Sequence, residues 1–146
     1  RRGAEVELNV PSLIPDDYLP DVHTRLTLYK RISSARDKDE LRDLQVEMID
    51  RFGLLPDPAK YLFATAELKL AANEMGIRKL ELGEHGGRIV FEAKPKIDPM
   101  AVIQLIQKQP KLYTMDGPDK LRIKVPLPDA PDRFNAAKGL LTTLAT

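Results

Sequence analysis

The sequence predicts an α+β fold in which an N-terminal strand and a three-helix layer precede a ββαββα unit with a small, mainly antiparallel sheet. Apolar residues recur every second position near the N-terminus, at helical spacing between residues 22 and 76, and every second position again from residue 80. The 146 residues suit one domain, with 42% hydrophobic and 31% charged residues. We therefore expect a single domain over residues 1–146. Because the chain starts with Arg1 rather than Met, we expect a piece of a longer protein.

The first twenty residues predict a strand followed by a proline-rich connector. Residues 5–10 alternate so that Val6, Leu8 and Val10 share one face, and Pro11 ends the pattern. The connector to residue 20 has prolines at both ends of an apolar and acidic run. Its expected anchors are Ile14, Tyr18 and Leu19.

Residues 21–76 predict three helices. The first has an apolar stripe of Val22, Leu26, Tyr29 and Ile32. Asp37 and Glu40 form a capping-box pattern for the second helix, which ends at Gly53. Its expected buried face is Leu41, Leu44, Met48 and Phe52. Asp57 and Pro58 are typical of the start of a third helix, which reaches Gly76.

Residues 77–146 predict the ββαββα unit. The turn at residues 83–87 is glycine-rich, but it lacks the Lys-Ser/Thr of a P-loop and no helix follows it, so it indicates a hairpin. Asp98 and Pro99 precede a helix, and a second hairpin surrounds residues 116–118. The last helix has an apolar stripe of Phe134, Ala137, Leu141 and Leu144.

Composition gives no sign of a catalytic centre. The chain has no cysteine, and its two histidines, His23 and His85, lie in polar contexts without a nucleophile or metal-ligand spacing. We expect no enzyme activity, no metal and no cofactor. The net charge of +1 provides no overall field for nucleic acid. No apolar run approaches the ~20 residues that cross a bilayer, so we expect a cytoplasmic protein without a membrane partner.

An acidic ridge on the second helix is the most informative cluster. Glu40, Asp43, Glu47 and Asp50 are spaced at i, i+3, i+7 and i+10, opposite the apolar stripe. Adjacent carboxylates repel one another, which favours an external basic partner. Arg51 can pair with Glu47 one turn back, which supports the alternative of an ordinary solvated face.

A basic stripe is predicted on the strand that contains Lys120, Arg122 and Lys124, which alternate with apolar residues. Such a stripe is typical of solvation and of edge protection. The alternative is a contact with nucleic-acid phosphates, to which Arg88 could contribute.

Residues 41–56, LRDLQVEMIDRFGLLP, resemble the C-terminal domain of bacterial transcription-repair coupling factors (Mfd). The resemblance extends to residues 11–18, 25–32, 76–80, 107–110 and 116–118, and only the last helix looks divergent. Proteins of this family look like DNA translocases that remove stalled RNA polymerase and recruit the repair protein UvrA. The chain contains none of the motor motifs, so the resemblance implies a regulatory domain.

The resemblance implies that the domain packs on the N-terminal UvrA-binding module of the same protein and masks it until RNA polymerase is engaged. The matching positions are Glu47, Asp50 and Arg51, and we extend the predicted surface to Glu40 and Asp43. UvrA, RNA polymerase and DNA are then indirect partners, through the parent protein. The alternatives are an auxiliary nucleic-acid contact and a structural cap of the motor.

Overall fold

Five helices and a five-stranded mixed sheet are formed by residues 3–146, which are the residues described by the computed structural model. The helices are α1 (Val22–Ser33), α2 (Lys38–Phe52), α3 (Asp57–Glu74), α4 (Pro99–Lys108) and α5 (Ala130–Leu144). The strands are β1 (Glu5–Glu7), β2 (Ile77–Gly83), β3 (Gly86–Phe91), β4 (Tyr113–Met115) and β5 (Lys120–Ile123). This order confirms the predicted α+β class.

The residues form two compact units. The helical unit is Val10–Leu70, and the sheet unit combines the residues up to Asn9 with Ala71–Thr146. Helix α3 contributes residues 57–70 to the helical unit and residues 71–74 to the sheet unit. That residues 1–146 act as one regulatory domain stays a prediction.

The core of the helical unit confirms the predicted faces of α2 and of the connector. Leu41, Leu44 and Met48 are buried, Phe52 is half-buried against the same core, and the connector residues Ile14 and Leu19 are buried. The third expected anchor, Tyr18, is held by a hydrogen bond. Its hydroxyl donates to the Gly53 carbonyl at 2.7 Å, just past the end of α2. Helix α2 is therefore fixed along one side and at its C-terminal end.

The predicted stripe of α1 is wrong for two of its four residues. Val22 is 58% exposed and Leu26 is 61% exposed, whereas Leu28 and Ile32 are buried. Leu28 and Ile32 pack in the hydrophobic core of the helical unit, and Arg25 on the same side donates hydrogen bonds of 2.7 and 3.0 Å to two connector carbonyls. The side of α1 that contains Arg25, Leu28 and Ile32 therefore faces the connector and the core, instead of the predicted side.

The sheet has the strand order β1-β2-β3-β5-β4. Strand β1 pairs with β2 in parallel, and the other three pairs are antiparallel, so the mainly antiparallel prediction is confirmed. Helices α4 and α5 pack on one face, the inner face, where Leu80, Ile89 and Leu121 are fully buried. The opposite, outer face contains partly exposed charged side chains.

Two local features refine the predicted strands. The predicted first strand reaches Val10, but β1 ends at Glu7 because Asn9 adopts a positive φ of 56°. The glycine-rich turn is a hairpin loop between β2 and β3, as predicted. A Cβ on Gly87 would lie 1.8 Å from the carbonyl oxygen of Glu81, so only glycine fits this strand position.

Candidate interaction surface on the second helix

The N-terminus of α2 is closed by two side-chain hydrogen bonds. The Asp37 carboxylate accepts from the Glu40 backbone N–H at 2.8 Å, and the Glu40 carboxylate accepts from the Arg36 backbone N–H at 2.8 Å. This is the predicted capping box, except that the return bond reaches one residue further than the N-cap. Glu40, the first residue of the predicted acidic ridge, therefore has a capping role in the fold.

Glu47 is held by arginines from two helices. Arg31 of α1 donates two hydrogen bonds to its carboxylate, at 2.8 and 3.0 Å, and Arg51 donates a third at 3.2 Å. The hydrogen bonds from Arg31 are the main reason why the pKa of Glu47 lies below its usual value of 4.5, and Arg51 adds to the effect. The Arg51 guanidinium also lies 4.8 Å from the ring centre of Phe52. The predicted pairing of Arg51 with Glu47 is confirmed.

Asp43 and Asp50 lie on the solvent side of the same helix. Both are exposed, and among residues 3–146 neither has a lysine or arginine nitrogen within 4.0 Å of its carboxylate. Val46 is half exposed between them, one helical turn from each. Leu54, just past the helix end, is 85% exposed. The surface thus combines one fixed carboxylate, two unpaired carboxylates and exposed apolar side chains.

The basic stripe on β5 has a different charge balance from the one its sequence predicts. Arg122 is bound to Asp116 at 2.7 Å, an ion pair that lowers the pKa of Asp116. Lys120 is half-buried, and Lys124 lies just beyond the end of β5. Arg88 lies opposite Arg122 in the β3–β5 register. The three residues of the stripe are therefore not equally available to bind an anion.

Comparison with known proteins identifies the family. Residues 8–102, about two thirds of the chain, match the family model described as the TRCF domain. The chain belongs to the TRCF domain family. It is 49% identical over 140 residues to the transcription-repair-coupling factor of Escherichia coli, and 47% identical over 145 residues to that of Haemophilus influenzae. These alignments cover 96% and 99% of the TRCF chain but 12% and 13% of the relatives, so the chain spans about an eighth of their length.

A solved structure has the same fold as this TRCF chain. It is described as the crystal structure of the C-terminal domain of transcription-repair coupling factor, and it matches with a TM-score of 0.73 at 20% sequence identity. The match covers 97% of the TRCF chain and 89% of the solved chain. The α+β architecture is therefore that of this domain.

Three features of this TRCF surface are absent from the sequence prediction. Arg31 is one, because it lies 16 residues from Glu47 and belongs to another helix. The exposed Val46 and Leu54 are the others, since apolar residues beside a ridge of charge look like core residues in a sequence. A signal for Val46 was present: it falls between Asp43 and Asp50 at spacings of three and four residues, on the polar side of α2.

Two other kinds of site, a metal centre and a membrane-spanning helix, are not found among residues 3–146. Both histidines are exposed. No group of three or more histidine, cysteine or carboxylate side chains could hold a metal ion among residues 3–146. Within the same range, no helix has both the length and the apolar character required to span a membrane. The acidic ridge on α2 is the candidate site with the most defined geometry.

Proposed function

We propose that this TRCF domain is a non-catalytic regulatory domain that packs on the N-terminal UvrA-binding module of its parent protein and masks it. Release would follow when the parent, a cytoplasmic DNA translocase, engages stalled RNA polymerase. Membership of the TRCF family supports the parent, since the named relatives are transcription-repair-coupling factors. The observation that supports the mask is the fixed Glu47 beside the unpaired Asp43 and Asp50.

The arrangement suits a partner with basic side chains. An arginine of the partner could bind Asp50 through charge-assisted hydrogen bonds, which contribute about 1.5–3 kcal/mol each. One nitrogen of Arg51 contacts Glu47, which leaves the rest of the guanidinium available to bind an acidic group of the partner. Val46 and Leu54 supply the apolar contact area that surrounds such polar groups in most interfaces.

A contact of this kind can be released. Inside one molecule the mask competes at a high effective concentration, so each contact can be weak in absolute terms. A mask favoured by about 1.4 kcal/mol lowers the exposure of the covered surface about tenfold, and a motor rearrangement that removes one charge-assisted hydrogen bond of about 1.5–3 kcal/mol cancels or reverses that preference.

The test is calorimetric titration of this chain with the UvrA-binding module produced as a separate protein. The variant Glu47→Gln/Asp50→Asn should bind at least tenfold more weakly, because it removes two carboxylates and leaves the buried face of α2 intact. The matched control is Glu74→Gln/Glu84→Gln, which removes two exposed carboxylates elsewhere and should bind like the unmodified chain. Circular dichroism of all three proteins verifies that they are folded.

Equal affinity of the unmodified chain and the α2 variant would exclude α2 as the masking surface. Absence of binding is resolved by the same substitutions in the full-length parent, where UvrA binding should rise if the mask is weakened. If the full-length variant binds UvrA no better than the unmodified parent, the proposal is wrong.

A further inference from the structure

The outer face of the sheet unit contains a group of basic residues that is separate from the acidic ridge. Strand register places Lys79, Val90 and Lys120 side by side across β2, β3 and β5. The next row on this face contains Arg88, two residues before Val90 on β3. Adjacent strands lie about 4.8 Å apart, so the Cα atoms of Lys79 and Lys120 are separated by about 10 Å. We call Lys79, Arg88 and Lys120 the basic trough.

Two adjoining hollows lie over these residues. One has a volume of about 370 Å³ and is lined by all three residues of the trough. The other has a volume of about 210 Å³ and is lined by Arg88 and Lys120 together with Arg122 and the carboxylates of Glu81 and Asp116. Val90 is buried between the two lysines and forms the floor. The three cations therefore surround open, solvent-filled space on the outer face.

The cations of the trough are incompletely neutralised. Among residues 3–146, Lys79 and Lys120 have no carboxylate oxygen within 4.0 Å. The Nε of Arg88 is buried without a hydrogen-bond partner, and the nearest carboxylate, that of Glu81, lies 3.5 Å away. The guanidinium is therefore paired with Glu81 by charge, but this nitrogen makes no hydrogen bond.

Neighbouring charged residues determine which cations of the outer face are available to a ligand. Arg122, which borders the smaller hollow, is occupied by Asp116 at 2.7 Å. Arg78 lies 3.8 Å from Asp119. Glu5 lies beside Lys79 in the β1–β2 register. Glu92 also lines the larger hollow. The uncompensated positive charge is therefore concentrated on Lys79 and Lys120, while Arg88 shares its charge with Glu81 at 3.5 Å.

We propose that the basic trough binds phosphates of duplex DNA without reading its sequence. Two ammonium groups and a guanidinium are side chains that contact phosphate oxygens. The outward-facing residues of the described strands include no aromatic side chain, so the face has no stacking platform for single-stranded bases. Lys124 is not part of the trough, and Arg122 is excluded because its ion pair with Asp116 is a hydrogen bond of 2.7 Å, whereas the Arg88–Glu81 pair is longer, at 3.5 Å.

The number of contacts determines the dependence of binding on salt. Three phosphate contacts correspond to a slope of about −2.7 in a plot of log K against log salt concentration. Affinity should then fall about 40-fold between 50 and 200 mM salt. The variant Lys79→Gln/Lys120→Gln retains only Arg88, so its slope should be about −0.9 and its loss about fourfold over the same range.

The experiment measures the fluorescence anisotropy of a labelled 20-base-pair duplex titrated with the 146-residue chain between 20 and 200 mM salt. The matched control is Lys108→Gln/Lys138→Gln, which changes the net charge equally but lies on α4 and α5. The control should bind like the unmodified chain. Lys79→Arg/Lys120→Arg preserves the charges and should retain binding.

Several results would overturn the proposal. They are no binding of the duplex at 20 mM salt, equal binding by the trough variant, and an equal loss in the control. Binding to phosphatidylglycerol vesicles but not to the duplex would also refute the assignment to nucleic acid. The proposal is independent of the mask, because Glu47→Gln/Asp50→Asn should leave DNA binding and its salt dependence unchanged.

Discussion

Replacing Arg31 by glutamine removes the main partner of Glu47 and tests whether α1 fixes the surface on α2. The two hydrogen bonds are 2.8 and 3.0 Å long, and the side chains are 46% and 36% exposed. Exposed ion pairs contribute about 0.2–1 kcal/mol to stability, and a two-pronged arginine–carboxylate pair belongs near the upper limit. We expect Arg31→Gln to lower the free energy of unfolding by about 1 kcal/mol at pH 7.

The pH dependence of this loss follows from the direction of the pKa shift. The pKa of Glu47 is lowered on folding, so its contribution is fully present above the unfolded value near 4.5 and disappears as the pH falls through the lowered value. The difference between the unmodified chain and Arg31→Gln should therefore shrink below pH 4.5. In the variant the pKa of Glu47 should rise toward 4.5, and the hydrogen bond from Arg51 should keep it from reaching that value.

The assay is carbon-13 NMR titration of the glutamate carboxyl groups, combined with urea unfolding at pH 7 and pH 3. The control is Arg42→Gln, which breaks a pair with Asp39 whose side chains are 69% and 84% exposed. The control should change stability by less than about 0.3 kcal/mol. If Glu47 kept its low pKa in Arg31→Gln, or if the stability loss were the same at both pH values, the reasoning would be refuted.

Three further substitutions test the packing and the backbone. Met48→Ala should lower stability by about 2–5 kcal/mol in urea unfolding, because the side chain is fully buried; a loss below 1 kcal/mol would contradict this. Gly53→Ala should lower the free energy of unfolding by about 1–3 kcal/mol, since φ is 95° and ψ is −177°. Gly87→Ala should lower it more, because its Cβ would clash with the Glu81 carbonyl. A lower melting temperature for Gly53→Ala than for Gly87→Ala would contradict this order. Asp98→Ala should cost about 1 kcal/mol through loss of the N-cap of α4, with faster amide exchange at Met100 as the readout.

Local signals predict the elements well where several of them agree. Helix α2 has a capping pattern, one apolar face and a terminal glycine, and each has its predicted role. Strand β1 has only the two-residue alternation, and it ends early because of the backbone of Asn9. The buried face of α1 includes Arg25, whose hydrogen bonds to the connector cannot be deduced from apolar periodicity. Predictions therefore fail where a contact between elements overrides a local pattern.

Long-range pairing explains what the sequence leaves open about the sites. The parallel pairing of β1 with β2 joins residues 5–7 to residues 79–81, with three helices between them in the sequence. The apolar pattern of a strand does not identify the strand that pairs with it. The basic trough depends on the same pairings, because Lys79, Arg88 and Lys120 come from three strands. The acidic ridge could be predicted because its members share one helix, but the partner Arg31 could not.

Glu47 and Asp50, two of the four ridge carboxylates, should contribute unequally to an interface. Glu47 already accepts three hydrogen bonds from arginines, so a basic partner must replace existing bonds, and the net gain is small. Asp50 has no such partner among residues 3–146 and lies in the last turn of α2, where the helix dipole disfavours an unpaired negative charge. An external arginine would relieve that repulsion. In titrations with the UvrA-binding module we therefore expect Asp50→Asn to weaken binding tenfold or more and Glu47→Gln only a few fold. The opposite order would mean that Glu47 exchanges its internal arginines for those of the partner, and that Arg31 and Arg51 hold it in place only in the uncovered domain.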